Sequence, residues 1–329
     1  MKRLFALFMA RNKEYYRDKS SLIWSFVMPP LIIGLVALAF NNGGQKLFKV
    51  GVLDSDTAIT LFDPAFTRLV PVAELAFGQQ RIAHHQLDIL VDQTSQQYWL
   101  NPNSEKGRVL EALLTHKNHW QRQEISGQAV RYVDWVVPGI LGMNLMFSGL
   151  WGIGYVIVRY RKNGVLKRLQ ATPVHPVEFI GAQIASRMII MLMVSTIVYL
   201  SCDAFLDFLM LGSYWDLLVI AILGNLSVLS LGLLVAARSA SEEFANGLLN
   251  FVSFPMLMVS EVWFSLDGAP AWLHAIANLS PLTHMVKAAR AVMVDGASLG
   301  QVSDHLAALA LITALLIGLS AWLFRWQEK

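Results

Sequence analysis

Between Trp215 and Ala237 the chain reads WDLLVIAILGNLSVLSLGLLVAA, with a single ionisable side chain, Asp216, near its start. Crossing the hydrocarbon core of a bilayer takes about 20 consecutive apolar residues in helical form, and this stretch supplies them. Working outward, comparable runs occur at 21–40, 135–158, 179–202, 244–264 and 305–324. The order is uneven: one run, then a polar stretch over 41–134, then five runs in quick succession. We therefore expect a mostly α fold, a six-helix polytopic bundle arranged one plus five, with a small α/β extracytoplasmic domain at 41–134.

Composition agrees. Hydrophobic residues make up 55% of the chain and charged residues 15%, against roughly 25% charged in soluble domains. Near the N-terminus the apolar run 4–10 is short and is followed by Arg11, Lys13, Glu14, Arg17, Asp18 and Lys19. That pattern reads as a retained signal-anchor, not a cleaved leader. The single cysteine, Cys202, excludes an intrachain disulfide and a multi-cysteine metal site.

Short loops rich in Lys and Arg stay on the cytoplasmic side, whereas long translocated domains largely escape the rule. Lys2, Arg3, Arg11, Lys13, Arg17 and Lys19 precede the first run, and Arg159, Arg161, Lys162, Lys167 and Arg168 follow the second. Arg238, Arg325 and Lys329 fall on the same face of a six-span protein, so both termini are expected inside. The opposite face has no Lys or Arg over 203–214 and only Lys287 and Arg290 over 265–303. The net charge of +3 thus reflects membrane anchoring; no basic-aromatic groove for nucleic acid is visible.

Between the runs, local patterns are legible. Strands are expected at 47–53, 87–91 and 97–100, with a turn at Asp54-Ser55-Asp56, and a helix at 104–120 capped by Ser104. Residues 1–20 read as an amphipathic cytoplasmic segment along the membrane surface, with Leu4, Leu7, Phe8 and Tyr15 in lipid and Arg11, Lys13 and Arg17 toward phosphates; an ordinary charged flank fits equally well. In the loop 159–177, Asn163 is a plausible cap, and Val165, Leu166 and Leu169 share one apolar face beside Lys167 and Arg168. A helix this short has no core of its own, so the face needs lipid or a partner protein. Residues 265–303 are too apolar for a simple loop: Trp272, Leu273, Ile276 and Ala277 form one stripe, and after Ser280-Pro281 come Leu282, Met285, Val286, Ala289, Val292 and Met293 at helical spacing. Two short helices that cannot span are expected to dip into the bilayer or cap the bundle.

Polar residues inside apolar runs are few. A charge at mid-membrane costs about 2.5 to 3.5 kcal/mol, so Arg187 is expected to snorkel, to pair with Glu242 or Glu243, or to line a translocation path. Glu261 either reaches external water or serves a gate with a cationic substrate, Arg290 or Lys287. Asn144, Asn225, Asn246 and Asn250 read as hydrogen-bond glue between helices, and as candidates for a dimer or cavity wall. His84, His85, His116 and His119 lack the carboxylates or cysteines of a metal motif and read as exposed histidines. No Gly-x-Ser-x-Gly elbow points to an intramembrane hydrolase.

Four places together resemble the permease subunits of type-2 ATP-binding-cassette (ABC) exporters: 11–18 (RNKEYYRD), 132–140 (YVDWVVPGI), 164–173 (GVLKRLQATP), and 278–284 (NLSPLTH) with 288–292 (AARAV). The resemblance covers essentially the whole chain. That family commonly carries Glu two or three residues before the loop glycine, where this chain has Arg161 and Lys162. The resemblance implies a bacterial inner-membrane permease that dimerises with a second copy or a paralogue and docks an ABC ATPase. It implies that Gly164, Val165, Leu166, Lys167, Arg168, Leu169 and Pro173 form the coupling helix, and that the re-entrant hairpin, with Glu261, Leu282, Met285, Val286 and Arg290, gates the exit. No Gly-x-x-x-x-Gly-Lys-Ser/Thr loop is present, so no cofactor is expected in this chain, and ATP and Mg belong to the partner. The expected cargo is an amphiphilic drug-like or lipid-like compound. A membrane scaffold or sensor is the competing reading, and copurification of an ATPase would separate the two.

Overall fold

The computed structural model describes residues 2–39, 48–53, 66–72, 74–92, 94–115, 121–125, 130–239, 241–266 and 269–323. It divides into two compact units, one of residues 1–39 with 133–329 and the other of residues 40–132.

The larger unit is helical. α1 (Lys2–Arg17) and α2 (Lys19–Ala39) precede the smaller unit. After it come α5 (Tyr132–Gly149), a π-helical turn (Leu150–Tyr155) and α6 (Val156–Lys162), which together form one uninterrupted helix; then α7 (Val165–Gln170), α8 (Pro176–Leu206), α9 (Tyr214–Arg238), α10 (Glu242–Val259), α11 (Ala271–Ala277), α12 (Pro281–Asp295) and α13 (Ser303–Leu323). Four of these are long and apolar enough to cross a membrane: Tyr132–Lys162, Pro176–Leu206, Tyr214–Ala237 and Ser303–Leu323. This is a multi-pass membrane protein. The first run also forms a helix, α2, with Pro29 and Pro30 inside it. The fifth is shorter than its sequence suggests. Its helix stops at Val259, and Glu261 takes a left-handed backbone (φ 53°), so the apolar residues of 262–264 belong to a turn.

Helix ends follow local chemistry. Ser213, Ser241 and Ser280 each accept a backbone N–H at the start of α9, α10 and α12, filling a donor that the helix leaves unpaired. Pro281 opens α12, where a missing N–H costs nothing. At the start of α7 the residue in the cap position is Gly164, at φ +68°, a conformation that L side chains disfavour. Asn163, expected as the cap, instead ends α6.

The smaller unit is a five-stranded sheet of order β2-β1-β3-β4-β5, with β1 (Phe48–Leu53), β2 (Thr67–Val72), β3 (Ile89–Asp92), β4 (Gln97–Leu100) and β5 (Gln121–Glu124), and with helices α3 (Leu75–Ala83) and α4 (Glu105–Thr115). Alternation sorts its core. Ile89, Val91, Tyr98 and Leu100 pack with Leu110 and Leu114 of α4, while Leu90 and Trp99 pack with Ile82 of α3. Ser104 caps α4 by accepting from Gly107 N at 3.1 Å. The edge strands β2 and β5 were not legible: Pro71 interrupts one pattern, and the other, QRQE, has every residue exposed. The turn at 54–56 and the stretch 116–120, with His116 and His119, lie outside the described residues. So do the C-terminal basic residues Arg325 and Lys329.

Candidate functional site

Two polar clusters mark opposite ends of the α5–α6 helix. At the Lys162 end, α1 packs along α8, with Leu7, Arg11 and Tyr15 on the inward side of α1. Arg11 and Tyr15 are therefore buried, not turned to lipid or phosphate as their sequence context suggested. Arg11 Nη2 donates to the Gly152 carbonyl at 3.0 Å and Nη1 to Glu14 at 2.8 Å. Glu14 also accepts from Arg159 at 2.7 Å and from the Tyr160 hydroxyl. Burial alone would raise the Glu14 carboxyl, but the Tyr160 hydrogen bond and the charges of Arg11 and Arg159 hold it below its ordinary value.

Arg187 is nearly enclosed, 9% exposed, and its partners differ from those expected. Nε and Nη2 donate to the Ser148 carbonyl at 3.1 and 2.8 Å, and the guanidinium lies over the Tyr15 ring. Glu242 is engaged elsewhere, accepting from Tyr155 at 2.6 Å and facing Lys162 at 3.5 Å. Two arginines thus bind carbonyls within and just before the π-helical turn, Gly152 and Ser148, where helix pairing is irregular. Gly152 makes this contact feasible, because a Cβ there would fall 2.0 Å from Arg187 Nε.

The apolar face of the loop after α6 meets neither lipid nor a partner but the bundle itself. Leu166 is wholly buried in the bundle core, with Leu169 half-buried against it. The apolar face of α7 turns inward because the bundle itself supplies the surface it needs. Lys167, Arg168, Gln170, Ala171, Thr172, Pro173 and His175 are exposed. Arg161 donates to the carbonyls of Ala236 and Ser239 at 2.9 and 2.7 Å, closing the C-terminus of α9 as cations do at that helix end. Arg3 of α1 donates to the Pro173 carbonyl, fastening the far side of the loop.

At the Tyr132 end, Glu261, Lys287 and Arg290 come together. Lys287 Nζ lies 3.0 Å from Glu261 Oε1 and Arg290 Nη1 3.6 Å from Oε2. Arg290 also donates to the Glu261 carbonyl at 2.7 Å and to the Trp135 carbonyl at 3.0 Å, its guanidinium stacked 3.8 Å over the Trp135 ring. One side chain therefore joins α12, the turn after α10 and the start of α5. Leu282, Met285 and Val286 are buried beneath it, with Gly142 of α5 close against all three.

His284, the last residue of the 278–284 motif, and His305, 21 residues later, were not expected to meet. Their Nδ1 atoms are 3.0 Å apart, and His284 Nε2 faces the Asn278 carbonyl at 2.8 Å. A carbonyl only accepts, so His284 Nε2 donates to Asn278, and one of the two facing Nδ1 atoms donates to the other.

The asparagines divide. Asn246 accepts from Trp151 Nε1 at 2.8 Å, an interhelical bond of the expected kind. Asn225 is fully buried, yet neither polar atom of its side chain has a partner among the described residues. Asn144 lines a water-sized space with Arg187 and Ser148, and Asn250 offers its backbone carbonyl to Ser253. Among the described residues no cluster of His, Cys, Asp or Glu is suited to hold a metal ion.

The sequence of residues 85–294 matches the family described as ABC-2 type transporter. Over a 342-residue alignment the chain is 20% identical to "Probable multidrug ABC transporter permease YbhS" of Escherichia coli (strain K12), covering 90% of this chain and 89% of that one. The same identity and coverage hold for the protein of that name in Escherichia coli O157:H7.

Proposed function

The chain belongs to the ABC-2 type transporter family, and on that footing we propose that it is the permease subunit of an ATP-driven exporter that moves an amphiphilic, drug-like or lipid-like substrate out of the cytoplasm. Support for the cargo class comes from the apolar bundle and from the multidrug permease name of its relatives. ATP and Mg are bound by a separate ABC ATPase, and two permeases, identical or paralogous, form the complex. In this reading α2 and α10 complete six spans in the bacterial inner membrane, both termini are cytoplasmic, and the unit at 40–132 is extracytoplasmic.

The observation that carries the proposal is the construction of the 163–177 loop. It exposes Lys167, Arg168, Ala171 and Thr172, while Leu166, Arg161 and the Arg3–Pro173 bond fix its back to the bundle. A partner pressing on that surface moves a rigid body, not a slack loop. The Leu166 side chain delivers the push to the core, and the unbroken α5–α6 helix runs from there to Trp135, whose carbonyl takes the Arg290 bond. Glu261, Lys287 and Arg290 would then hold the exit hairpin closed until α5 shifts.

The test is copurification of the ATPase with the permease, followed by ATP-driven export of a fluorescent amphiphile in vesicles. Wild-type permease should retain the ATPase, and Lys167→Glu with Arg168→Glu should release it while membrane insertion stays normal. Retention and export unchanged in that double variant would reject the loop as the coupling surface.

A further inference from the structure

Between α5, α8, α9 and α12 lies a cavity of about 320 Å³, within the size range of small-molecule pockets. None of its described lining residues is charged. Leu145, Leu192, Ile220 and Ala221 line it farther along α5, α8 and α9 from Tyr214, Leu145 and Ile220 being buried, and Met285 and Met293 place α12 along one wall. The polar side chains are four hydroxyls, Ser195 and Thr196 on α8 with Tyr199 and Tyr214, whose rings are 6.2 Å apart, and the Trp215 indole. Leu200, Tyr214 and Trp215 stand at its rim and are exposed, Trp215 at 76%.

We propose that this cavity binds one alkyl chain of a membrane phospholipid, with the tail at the Leu192–Ala221 end and the headgroup beside Tyr214 and Trp215. The inference rests on the reading of the chain as a membrane-spanning permease. An uncharged apolar site in a membrane protein, open at one rim, offers no partner to an ion and disfavours a charged ligand inside it. Exposed apolar rims in the spanning region meet lipid tails, while Tyr and Trp collect at the headgroup level. The site also has the reach of one leaflet. From Leu192 to Leu200 the α8 wall rises about 12 Å at 1.5 Å per residue, close to the ~15 Å that one leaflet contributes to the ~30 Å hydrocarbon core. The occupant would touch Met285 and Met293, so the chain packs directly on the helix that Arg290 holds in place. A second copy of this chain is the other occupant the exposed rim could accept.

The experiment uses full-length permease, without ATPase, in phosphatidylethanolamine–phosphatidylglycerol vesicles doped with a phospholipid carrying a diazirine on its alkyl chain. After photolysis, peptide mapping should place label on Leu192 and Leu218 in excess over Leu311 and Leu315, which are exposed on α13. Ala221→Phe and, separately, Leu218→Trp each add a ring to the lining, displace at least about two methylenes of the bound chain and should lower the cavity label about tenfold, with α13 labelling and helical circular dichroism unchanged. The wild-type pattern decides by itself. Cavity label no greater than that on α13, or label unaffected by both variants, overturns the proposal. Efficient oxidative cross-linking of Leu200→Cys between two copies, in a Cys202→Ser background, would also overturn it by giving this face to the dimer. Because neither ATP nor ATPase is present, a failure of the coupling proposal leaves this result standing, and the reverse also holds.

Discussion

At the scale of single residues, burial separates side chains that look alike in the sequence. Leu166 and Lys167 are neighbours in one short helix, but only the first is enclosed by the bundle. Leu166→Ala should cost about 2 to 5 kcal/mol by leaving a cavity, read as a lowered unfolding midpoint in detergent. Lys167→Ala should stay within about 0.5 kcal/mol and weaken only association with the ATPase. Leu166→Asp is therefore a folding defect, not a clean probe of docking. Glu14 gives a pH prediction. Its carboxyl is held below its ordinary value, so between the folded and unfolded values the unfolded chain binds more protons and stability rises with pH. The contribution is complete above the ordinary carboxylate range and is lost as pH falls through the lowered folded value. Glu14→Gln should flatten that acid limb in unfolding curves measured against pH. A limb as steep as wild type would show that Glu14 does not govern it.

At the scale of elements, the π-helical turn is where sequence and packing depend most closely on one another. Arg11 from α1 and Arg187 from α8 reach the same stretch of wall, and Gly152 leaves room for the second. Gly152→Ala should evict the Arg187 guanidinium from the Ser148 carbonyl and cost about 1 to 3 kcal/mol through overpacking. Arg187→Lys should not substitute, because an ammonium cannot reproduce the two-pronged bond and the stacking on Tyr15. Both variants are compared by thermal unfolding of purified permease; a Lys variant as stable as wild type would refute the forked contact. The helix pattern itself was readable: the spacing of Leu282, Met285, Val286 and Ala289 placed α12, and Ser280-Pro281 placed its start. The Ser148 carbonyl that holds Arg187, 39 residues away, and the Arg159 and Tyr160 groups that meet Glu14, about 145 residues away, were not, because contacts between distant segments leave no periodic trace along the chain.

At the scale of the whole molecule, the expected orientation follows from Lys and Arg placement and is open to direct test. In intact cells an impermeant maleimide should fail to label Lys167→Cys from outside, and native Cys202 should stay unlabelled because it is buried; external labelling of Lys167→Cys would reverse the topology. Apolar length alone determined that this is a multi-pass membrane protein, since hydrocarbon accepts backbone only when its polar groups are paired within helices. The short apolar runs at 47–53, 87–91 and 97–100 and the Ser104 cap likewise disclosed the α/β character expected over 41–134, and the family motifs are local enough to be read in one dimension. The tertiary structure alone decided which face of α7 is free, that Arg187 meets Ser148 and Tyr15 instead of Glu242, that Arg290 binds Glu261 and Trp135 together, and that four helices line a cavity. Each of these depends on side chains from distant segments arriving at one place, and on the requirement that every buried charge find an acceptor there. The sequence states that requirement without naming the partner that meets it.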